Sequence, residues 1–556
     1  MLTDMFTNEL LKQLPSDIQT LAPVRMLVGM LQVQATQIQV QATQIQGQVA
    51  QIQGQAEQMT AMQKMINELK NEISRLNNTP KRPKFRRGGM EPRDRSKKSY
   101  DNPNNNNPDS TGRSQHNPKK KKEERIISPD VIPEGSRFKG YQEFTVQEIE
   151  LHAKETLYKL EVWQAPSGSV HRGILPEELE GQHFGPELRA LIINLYAQCM
   201  TQPCILEFLH GIGIEISSGQ IHNILMNEAE GFSSISKNIL SVGLKEADYV
   251  ETDDTGAKHN HKNGYCTYIG GKHFSYYKSS QSKSRENFLS ILLQGKEGYH
   301  VNDAMIWHLS QIGVKDHILH FFEECREKKY VSKQGFQRLL IDLSITGKKL
   351  TEQCFEAATI GFIAETVLKK GQVLLSDRAG QFAVLNHAGC WVHLERPLRK
   401  IPVTSEVIEE ELKMVREAIW EAYRKLKETV ITGKGREKVE ALYDNIVSRK
   451  SSSPKITEVI KNFRDYREEM LKALDYPGVP LHNNGSEQSV REMVKRRDVS
   501  GSTKSGEGQK FRDGLATIKQ TCRKLGLSLY SFVLQHFHGQ SPDLPGLVRQ
   551  SYRSSL

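Results

Sequence analysis

Three short acidic segments constrain the fold of this chain more than any other feature of its sequence. They read VETDDTG at 250–256, VLLSD at 373–377 and NNGSEQSVR at 483–491. The first two predict apolar strands that end on a carboxylate, and the third predicts the first turn of a basic helix. Carboxylates brought together from three distant segments can hold a pair of divalent ions for phosphodiester chemistry. The fold is therefore expected to place two strand ends and one helix start side by side.

The net charge of +10 is concentrated in one segment, since residues 81–125 hold 15 Lys/Arg and 6 Asp/Glu. A basic arm of this kind predicts a polyanionic partner, with nucleic acid as the first candidate. A solvated linker that keeps the protein soluble is the alternative interpretation. We expect DNA phosphates to contact the lysine run of this arm, which comprises Lys119, Lys120, Lys121 and Lys122.

The seven cysteines are scattered and show no paired spacing, which is typical of a protein in a reducing, cytoplasmic setting. The first five residues include Asp4 and do not resemble a signal peptide. The longest uncharged stretch, at 27–56, is rich in glutamine, so no membrane partner is expected.

An apolar residue recurs at every seventh position in the N-terminal region and predicts a coiled coil, and therefore self-association. A glutamine-rich, low-complexity segment with only transient helix is the alternative interpretation. The residues of this predicted seam are Ile38, Ile45, Ile52, Met59, Ile66 and Ile73.

With 556 residues, the chain is too long for one hydrophobic core. Composition and periodicity predict the following order: an N-terminal helix and coiled coil at 1–77, a disordered basic linker at 78–125, a small mixed region at 126–184, a helical region at 185–240, the first part of an α/β core at 245–400 with a helical insert at about 295–370, a helical insertion at 401–480, the C-terminal part of the core with the third acid at 481–540, and a tail at 541–556.

The helical region at 185–240 resembles a helix-turn-helix. Its last helix could enter a major groove through Gln220, His222 and Asn223. Three packed helices without DNA contact are the alternative interpretation.

Strand patterns at 248–253, 264–270 and 272–278 precede a helix, a buried strand at 372–375 and a helix from 381 onward. This is the order of a ribonuclease-H-like α/β core interrupted by large helical insertions. The first and fourth strands of such a core are neighbours, so Asp253 and Asp377 are expected to lie together.

Glu487 completes the acidic set if its helix packs across the strand ends. Two Mg²⁺ or Mn²⁺ ions are the expected cofactors, because these ions prefer oxygen ligands. Along that helix, we expect DNA contacts from the basic residues Arg491, Lys495, Arg496 and Arg497. A second metal candidate, made of His387, Cys390 and His393, is better interpreted as part of a packed helix.

Taken together, these motifs resemble the DDE-type transposases of the insertion sequence 66 family. The resemblance rests on DDTG at 253–256 with KNGYC at 262–266, SDRAGQF at 376–382 with CWVH at 390–393, NNGSE at 483–487 with VSG at 499–501, and TCRK at 521–524. It implies that Asp253, Asp377 and Glu487 are the catalytic triad and the metal ligands.

Three features depart from the family pattern, and one of them is the helical insert expected before Asp377, at about 295–370, which shorter members lack. The usual Asp-Glu-Thr-Gly motif reads Asp-Asp-Thr-Gly here, so Asp254 is an alternative first ligand. The cysteine-rich zinc segment of many members has no counterpart at 126–185, and zinc is not expected.

The resemblance implies a DNA transposase of the bacterial cytoplasm, associated with the nucleoid. Such an enzyme binds double-stranded element ends, cleaves them and joins the freed 3′ ends to target DNA. A ribonuclease-H-like nuclease without strand transfer is one alternative, and a non-catalytic accessory protein or decayed transposase is another. Companion proteins from the same element are further candidate partners.

Overall fold

The computed structural model describes residues 151–554 throughout, together with scattered positions at 26–47 and 125–150. The described positions between 26 and 47 are helical. The predicted coiled-coil seam and the lysine run at 119–122 lie outside the described residues. All the elements below belong to one compact unit that includes residues 147–556. Among the described helices, none has both the length and the apolar character that a membrane crossing requires.

A mixed five-stranded sheet with the order β5-β4-β3-β8-β9 forms the centre of this unit. β3, β4 and β5 pair antiparallel, whereas β8 pairs parallel with both β3 and β9. Two smaller sheets pair β1 with β2 and β6 with β7. The strands are β1 (Val162–Gln164), β2 (Val170–Arg172), β3 (Tyr249–His259), β4 (Lys262–Gly270), β5 (Ser275–Ser280), β6 (Tyr299–His300), β7 (Lys329–Tyr330), β8 (Val373–Ser376) and β9 (His387–Gly389).

Helices cover the sheet and form both insertions. In chain order they are α1 (Pro186–Ala197), α2 (Gln202–Gly211), α3 (Ser218–Asn227), α4 (Ala229–Glu246), α5 (Arg285–Leu293), α6 (Asp303–Gln311), α7 (Asp316–Glu324), α8 (Lys333–Asp342), α9 (Lys348–Phe362), α10 (Trp391–Glu395), α11 (Glu406–Thr432), α12 (Arg436–Val447), α13 (Pro454–Asp465), α14 (Arg467–Met470), α15 (Asn484–Ser500), α16 (Gly506–Lys524), α17 (Leu529–Phe537) and α18 (Leu544–Arg553).

Helices from both ends of this unit share the largest hydrophobic core. Ile192 of α1, Leu240 of α4 and Phe511 of α16 are fully buried in it. Ser217 caps α3 by accepting a bond from the backbone of Gln220, whose side chain accepts one from the backbone of Ser217. Gln220 is thus used in a capping box, while its predicted DNA-reading neighbours His222 and Asn223 are exposed.

The first strand of the central sheet is longer than the sequence pattern predicted. β3 does not end at Asp253 but continues to His259, because its antiparallel pairing with β4 continues to Lys262. Asn260 and His261 form the two-residue turn of this hairpin, both with positive φ, as hairpin turns of this length require. Asp253 therefore lies within β3, next to the point where the parallel neighbour β8 ends.

The helix predicted from residue 381 onward is wrong. The chain after β8 turns and then forms β9, and the left-handed backbone at Leu385 is incompatible with a helix that continues from residue 381. The expected tail at 541–556 also needs correction. It contains α18, whose buried Leu544 and Val548 pack into the main core.

Each helical insertion has its own hydrophobic core. In the first, at 295–370, Phe322, Phe336 and Leu340 are fully buried between α6 and α9. The second, at 401–480, buries Tyr443 and Phe463 against Trp391 of α10. Because Trp391 follows β9 directly, the second insertion packs against the segment that leaves the central sheet.

Candidate active site

The parallel pairing of β3 with β8 positions the first two acids. Glu251 is paired with Leu375 in this ladder. Two residues farther along, the same register brings Asp377, just past the end of β8, beside Asp253. Side chains two residues apart in a strand share a face, and neighbouring strands are about 4.8 Å apart. Asp377 therefore lies near Asp253, and its carboxylate raises the pKa of Asp253.

Asp253 is a partly buried carboxylate in an acidic environment. Its Oδ1 accepts a 2.8 Å hydrogen bond from the backbone N–H of Asp254. Burial, and to a smaller degree the carboxylates of Asp377, Asp254 and Glu487, raise the pKa of Asp253 to about 7, although the hydrogen bond from the Asp254 backbone lowers it. A cation between these groups would favour their charged forms instead.

Asp254 points to the opposite face of β3 and has its own partners. Thr267 Oγ1 of β4 donates to Asp254 Oδ1 at 2.6 Å, and Gln381 Nε2 donates to Oδ2 at 2.9 Å. Burial raises the pKa of this carboxyl, whereas these two hydrogen bonds lower it. The two oxygens of Asp254 thus connect β4 with the loop that follows β8, and the carboxylate of Asp377 also raises the pKa of Asp254.

Local hydrogen bonds shape the turn that presents Asp377. Its Oδ1 accepts from the backbone N–H of Ala379 at 2.9 Å. Ser376 Oγ accepts from the backbone N–H of Arg378 at 3.0 Å and lies 2.8 Å from His387 Nε2. Burial lowers the pKa of His387 to about 3, so the ring that contacts the Ser376 hydroxyl is neutral.

The start of α15 is joined directly to β3. Buried Asn483 donates from Nδ2 to the carbonyl of Thr252 at 3.1 Å, and its backbone N–H donates to Cys390 Sγ at 3.2 Å. Glu251 accepts the backbone N–H of Ser486, which lowers a carboxyl pKa that burial raises. A Cβ at Gly485 would overlap the Glu251 carboxylate, so a larger residue here would displace that side chain.

Glu487 lies on the first turn of α15, and two side chains from the segment after β9 contact it. Arg396 Nη2 donates to Glu487 Oε1 at 2.9 Å, and His393 Nε2 lies 3.1 Å from the same oxygen. Sequence reasoning did not assign either partner, although the CWVH motif includes His393. His387, Cys390 and His393 contact different groups, namely Glu469, the backbone of Asn483 and Glu487. The packed helix predicted for all three is wrong, because His387 lies in β9 and α10 begins only after Cys390.

The carboxylates of Asp253, Asp377 and Glu487 have the ligand chemistry of an Mg²⁺ or Mn²⁺ site. Within residues 151–554, no three acid, histidine or cysteine side chains already surround a common point. Glu487 is turned toward Arg396 and His393, so a shared ion requires a change in its side-chain conformation. The three carboxylates therefore fit divalent ions, but Arg396 and His393 compete with an ion for Glu487.

The four basic residues predicted to contact DNA on α15 differ in exposure. Arg491 and Lys495 are exposed. Arg496 is buried, donates to the carbonyls of Tyr196 and Ala197 at 2.6 and 3.1 Å, and stacks on the Tyr196 ring. The expectation of a DNA contact at Arg496 is therefore corrected, because its guanidinium joins α15 to α1. The fourth residue, partly buried Arg497, donates to the carbonyl of Gly256 at 2.7 Å.

Comparison with known proteins gives two matches. Residues 365–510, which include Asp377 and Glu487, match a family described as Transposase IS66 family. A protein of Sinorhizobium fredii (strain NBRC 101917 / NGR234), described as uncharacterized protein y4jO, is 32% identical over 302 residues. That alignment covers 53% of this chain and 93% of the relative.

Proposed function

The chain belongs to the IS66 family of transposases, and from this premise we propose that it cleaves the ends of a mobile element and joins them to target DNA. Membership implies a nucleic-acid-processing enzyme that binds DNA. The further proposal is that Asp253, Asp377 and Glu487 hold two divalent ions, Mg²⁺ or Mn²⁺. The observation that carries it is the parallel pairing of β3 with β8, which supports a position of Asp377 close to Asp253.

The third acid belongs to the same site because its helix is attached to the same strand. Asn483 binds the carbonyl of Thr252, and the next residue of β3 is Asp253. Glu487 follows one helical turn after Asn483. The influence of Glu487 on the pKa of Asp253 supports their proximity. The strand order β5-β4-β3-β8-β9 supports a ribonuclease-H-like interpretation of this core.

The proposed chemistry is hydrolysis followed by transesterification. Water attacks the scissile phosphorus, the P–O3′ bond breaks, and the released oxygen takes a proton to become a 3′-OH. That 3′-OH then attacks a target phosphate, loses its proton and displaces the target's own 3′ oxygen. Divalent ions, when bound, supply Lewis acidity and charge neutralisation at the phosphate. Asp254 supports the site from the opposite face of β3, through Thr267 and Gln381.

DNA beyond the reacting phosphate is proposed to follow α15. Arg491 and Lys495 lie one and two turns beyond Glu487 and are exposed, so they can contact successive phosphates. Pairing two element ends requires self-association, which we assign to the coiled coil at 1–77. The basic arm at 78–125 is proposed to add salt-dependent affinity for double-stranded DNA.

The direct test uses the purified full chain with Mg²⁺ or Mn²⁺, DNA from either side of its coding region, and a supercoiled target plasmid. Sequencing gels should show new 3′-OH ends, followed by joined products. Asp377→Asn should abolish both products while leaving end binding intact, and Asp342→Asn, at an exposed position of α8, serves as the matched control. Cleavage without joining would favour the nuclease alternative, and DNA binding without cleavage would favour an accessory role.

A further inference from the structure

Arg396 lies at the edge of the acidic site and contacts the third acid. Its side chain is 42% exposed and its Nη2 donates to Glu487 Oε1, the oxygen that His393 also contacts. Neither aspartate of the site has an arginine partner of this kind in the described structure. Arg396 is thus a cation held at the acids by a single carboxylate.

The backbone that carries Arg396 is firmly anchored. The preceding residue, Glu395, has no exposed side-chain surface, and it accepts bonds from Arg399 Nε at 2.7 Å and Arg416 Nε at 2.8 Å. Arg416 belongs to α11 of the second insertion. A buried carboxylate with two arginine partners is costly to disrupt. The insertion therefore fixes the position from which the Arg396 side chain reaches the site.

An ion at Glu487 Oε1 competes directly with Arg396. That oxygen already has two nitrogen neighbours, Arg396 Nη2 at 2.9 Å and His393 Nε2 at 3.1 Å. A metal ion that binds the same oxygen would therefore have to displace these side chains. The displaced guanidinium would remain beside the acids with its planar set of donors available. Such a group matches the geometry of a phosphate and binds it through paired hydrogen bonds.

From this geometry we propose that Arg396 is a phosphate-binding residue of the active site that exchanges partners. Glu487 binds Arg396 until a divalent ion takes the carboxylate, and Arg396 then binds the phosphate of the reacting DNA strand. The divalent ion thus binds the carboxylate of the ion pair, and the DNA phosphate binds its guanidinium. This inference rests on the proposed function, since it assigns a DNA contact to that same site.

The exchange makes opposite predictions for metal binding and for cleavage. Arg396→Ala removes the competitor for Glu487, so Mn²⁺ measured by calorimetry with the full chain should bind about two- to fivefold more tightly. The same variant loses a phosphate contact, so single-turnover cleavage at saturating Mn²⁺ should slow by about 10- to 100-fold. Arg396→Lys should recover part of the cleavage rate. Exposed Lys400 offers the control Lys400→Ala, which should match the wild type in both assays.

Several outcomes would overturn the inference. Weaker Mn²⁺ binding by Arg396→Ala would mean that Arg396 only positions Glu487. Unchanged cleavage at saturating Mn²⁺ would exclude a phosphate contact. If Arg396→Ala lowers the melting temperature, Arg396→Lys is tested in its place. Its cleavage should still be slower than that of Lys400→Ala. A wild-type protein that binds Mn²⁺ but never cleaves element ends would contradict the proposed function instead, because the calorimetric comparison tests the ion exchange separately.

Discussion

The side chain of Asn483 donates a 3.1 Å hydrogen bond to the carbonyl of Thr252, and so joins the helix of the third acid to the strand of the first. Both residues are fully buried, and no water can replace this bond without a rearrangement of the packing. The spatial relation between Asp253 and Glu487 therefore depends on this amide together with the hydrogen bond from the backbone N–H of Ser486 to Glu251. Four predictions test this and related features of the structure.

Asn483→Asp keeps the shape of the side chain but removes its N–H donor and adds a buried charge. We expect the free energy of unfolding to fall by about 1–3 kcal/mol, the range for a buried polar group that loses its partner. DNA cleavage should fall further than stability explains, since the third acid is misplaced. Urea denaturation and single-turnover cleavage measure the two effects. Asn238→Asp, at an exposed position of α4, should change neither, and equal effects at the two positions would refute the role of Asn483.

Gly485→Ala should destabilise the start of α15, because the added Cβ would overlap the Glu251 carboxylate. Overpacking of this kind costs about 1–3 kcal/mol. Gly231 of α4 is the matched control, since its position has open space around it. Gly231→Ala should be neutral or stabilise the protein by up to about 1 kcal/mol. Thermal denaturation of both variants tests the difference, and an unchanged melting temperature for Gly485→Ala would be incompatible with this packing.

Arg496 and Arg491 should have different roles despite their shared helix. Arg496→Ala removes two hydrogen bonds to α1 and a ring contact, so we expect a loss of about 2–4 kcal/mol in unfolding free energy. Arg491→Ala should leave stability unchanged, weaken DNA binding and reduce the slope of log affinity against log salt by about 1. Denaturation curves and salt-dependent binding measurements separate the two. A reduced salt slope for a stably folded Arg496→Ala protein would contradict the assignment.

Asp513 of α16 should make stability depend on pH. Its carboxylate accepts the backbone N–H and the hydroxyl of Ser279, both at 2.7 Å, and burial raises its pKa to about 6. The folded chain therefore holds this proton more tightly than the unfolded chain, whose carboxyl has a pKa of about 4. The contribution of Asp513 to stability is complete below about pH 4 and is lost as the pH rises toward 6.

Asp513→Asn removes this pH-dependent loss. Relative to the wild type, the variant should gain about 1–3 kcal/mol in unfolding free energy between pH 4.5 and pH 7.5. Denaturant titrations at the two pH values measure the change. Asp342→Asn, at an exposed position, is the matched control and should show the same small effect at both. A stability difference between Asp513→Asn and the wild type that is equal at both pH values would contradict the predicted linkage.

Local sequence was sufficient to find the acids and the elements that carry them. The apolar run before Asp377, the strand pattern before Asp253 and the helix-start residues before Glu487 depend on neighbours a few positions away. The strand order then predicted that Asp253 and Asp377 would be adjacent, and the paired β3 and β8 are neighbours in the sheet. The IS66 family relationship was also recognisable from motifs that the printed sequence contains.

Only the tertiary structure decided which faces and partners these residues have. Asp254 is bonded by Thr267 and Gln381, Glu487 is bonded by Arg396, and Arg496 is buried against Tyr196. Several of these contacts join residues about 90 to 300 positions apart in the chain. Periodicity reports whether a position is apolar or polar, but burial and hydrogen bonding depend on segments that arrive from elsewhere in the fold. The sequence by itself therefore determined the chemical groups, and tertiary packing decided which of them face each other.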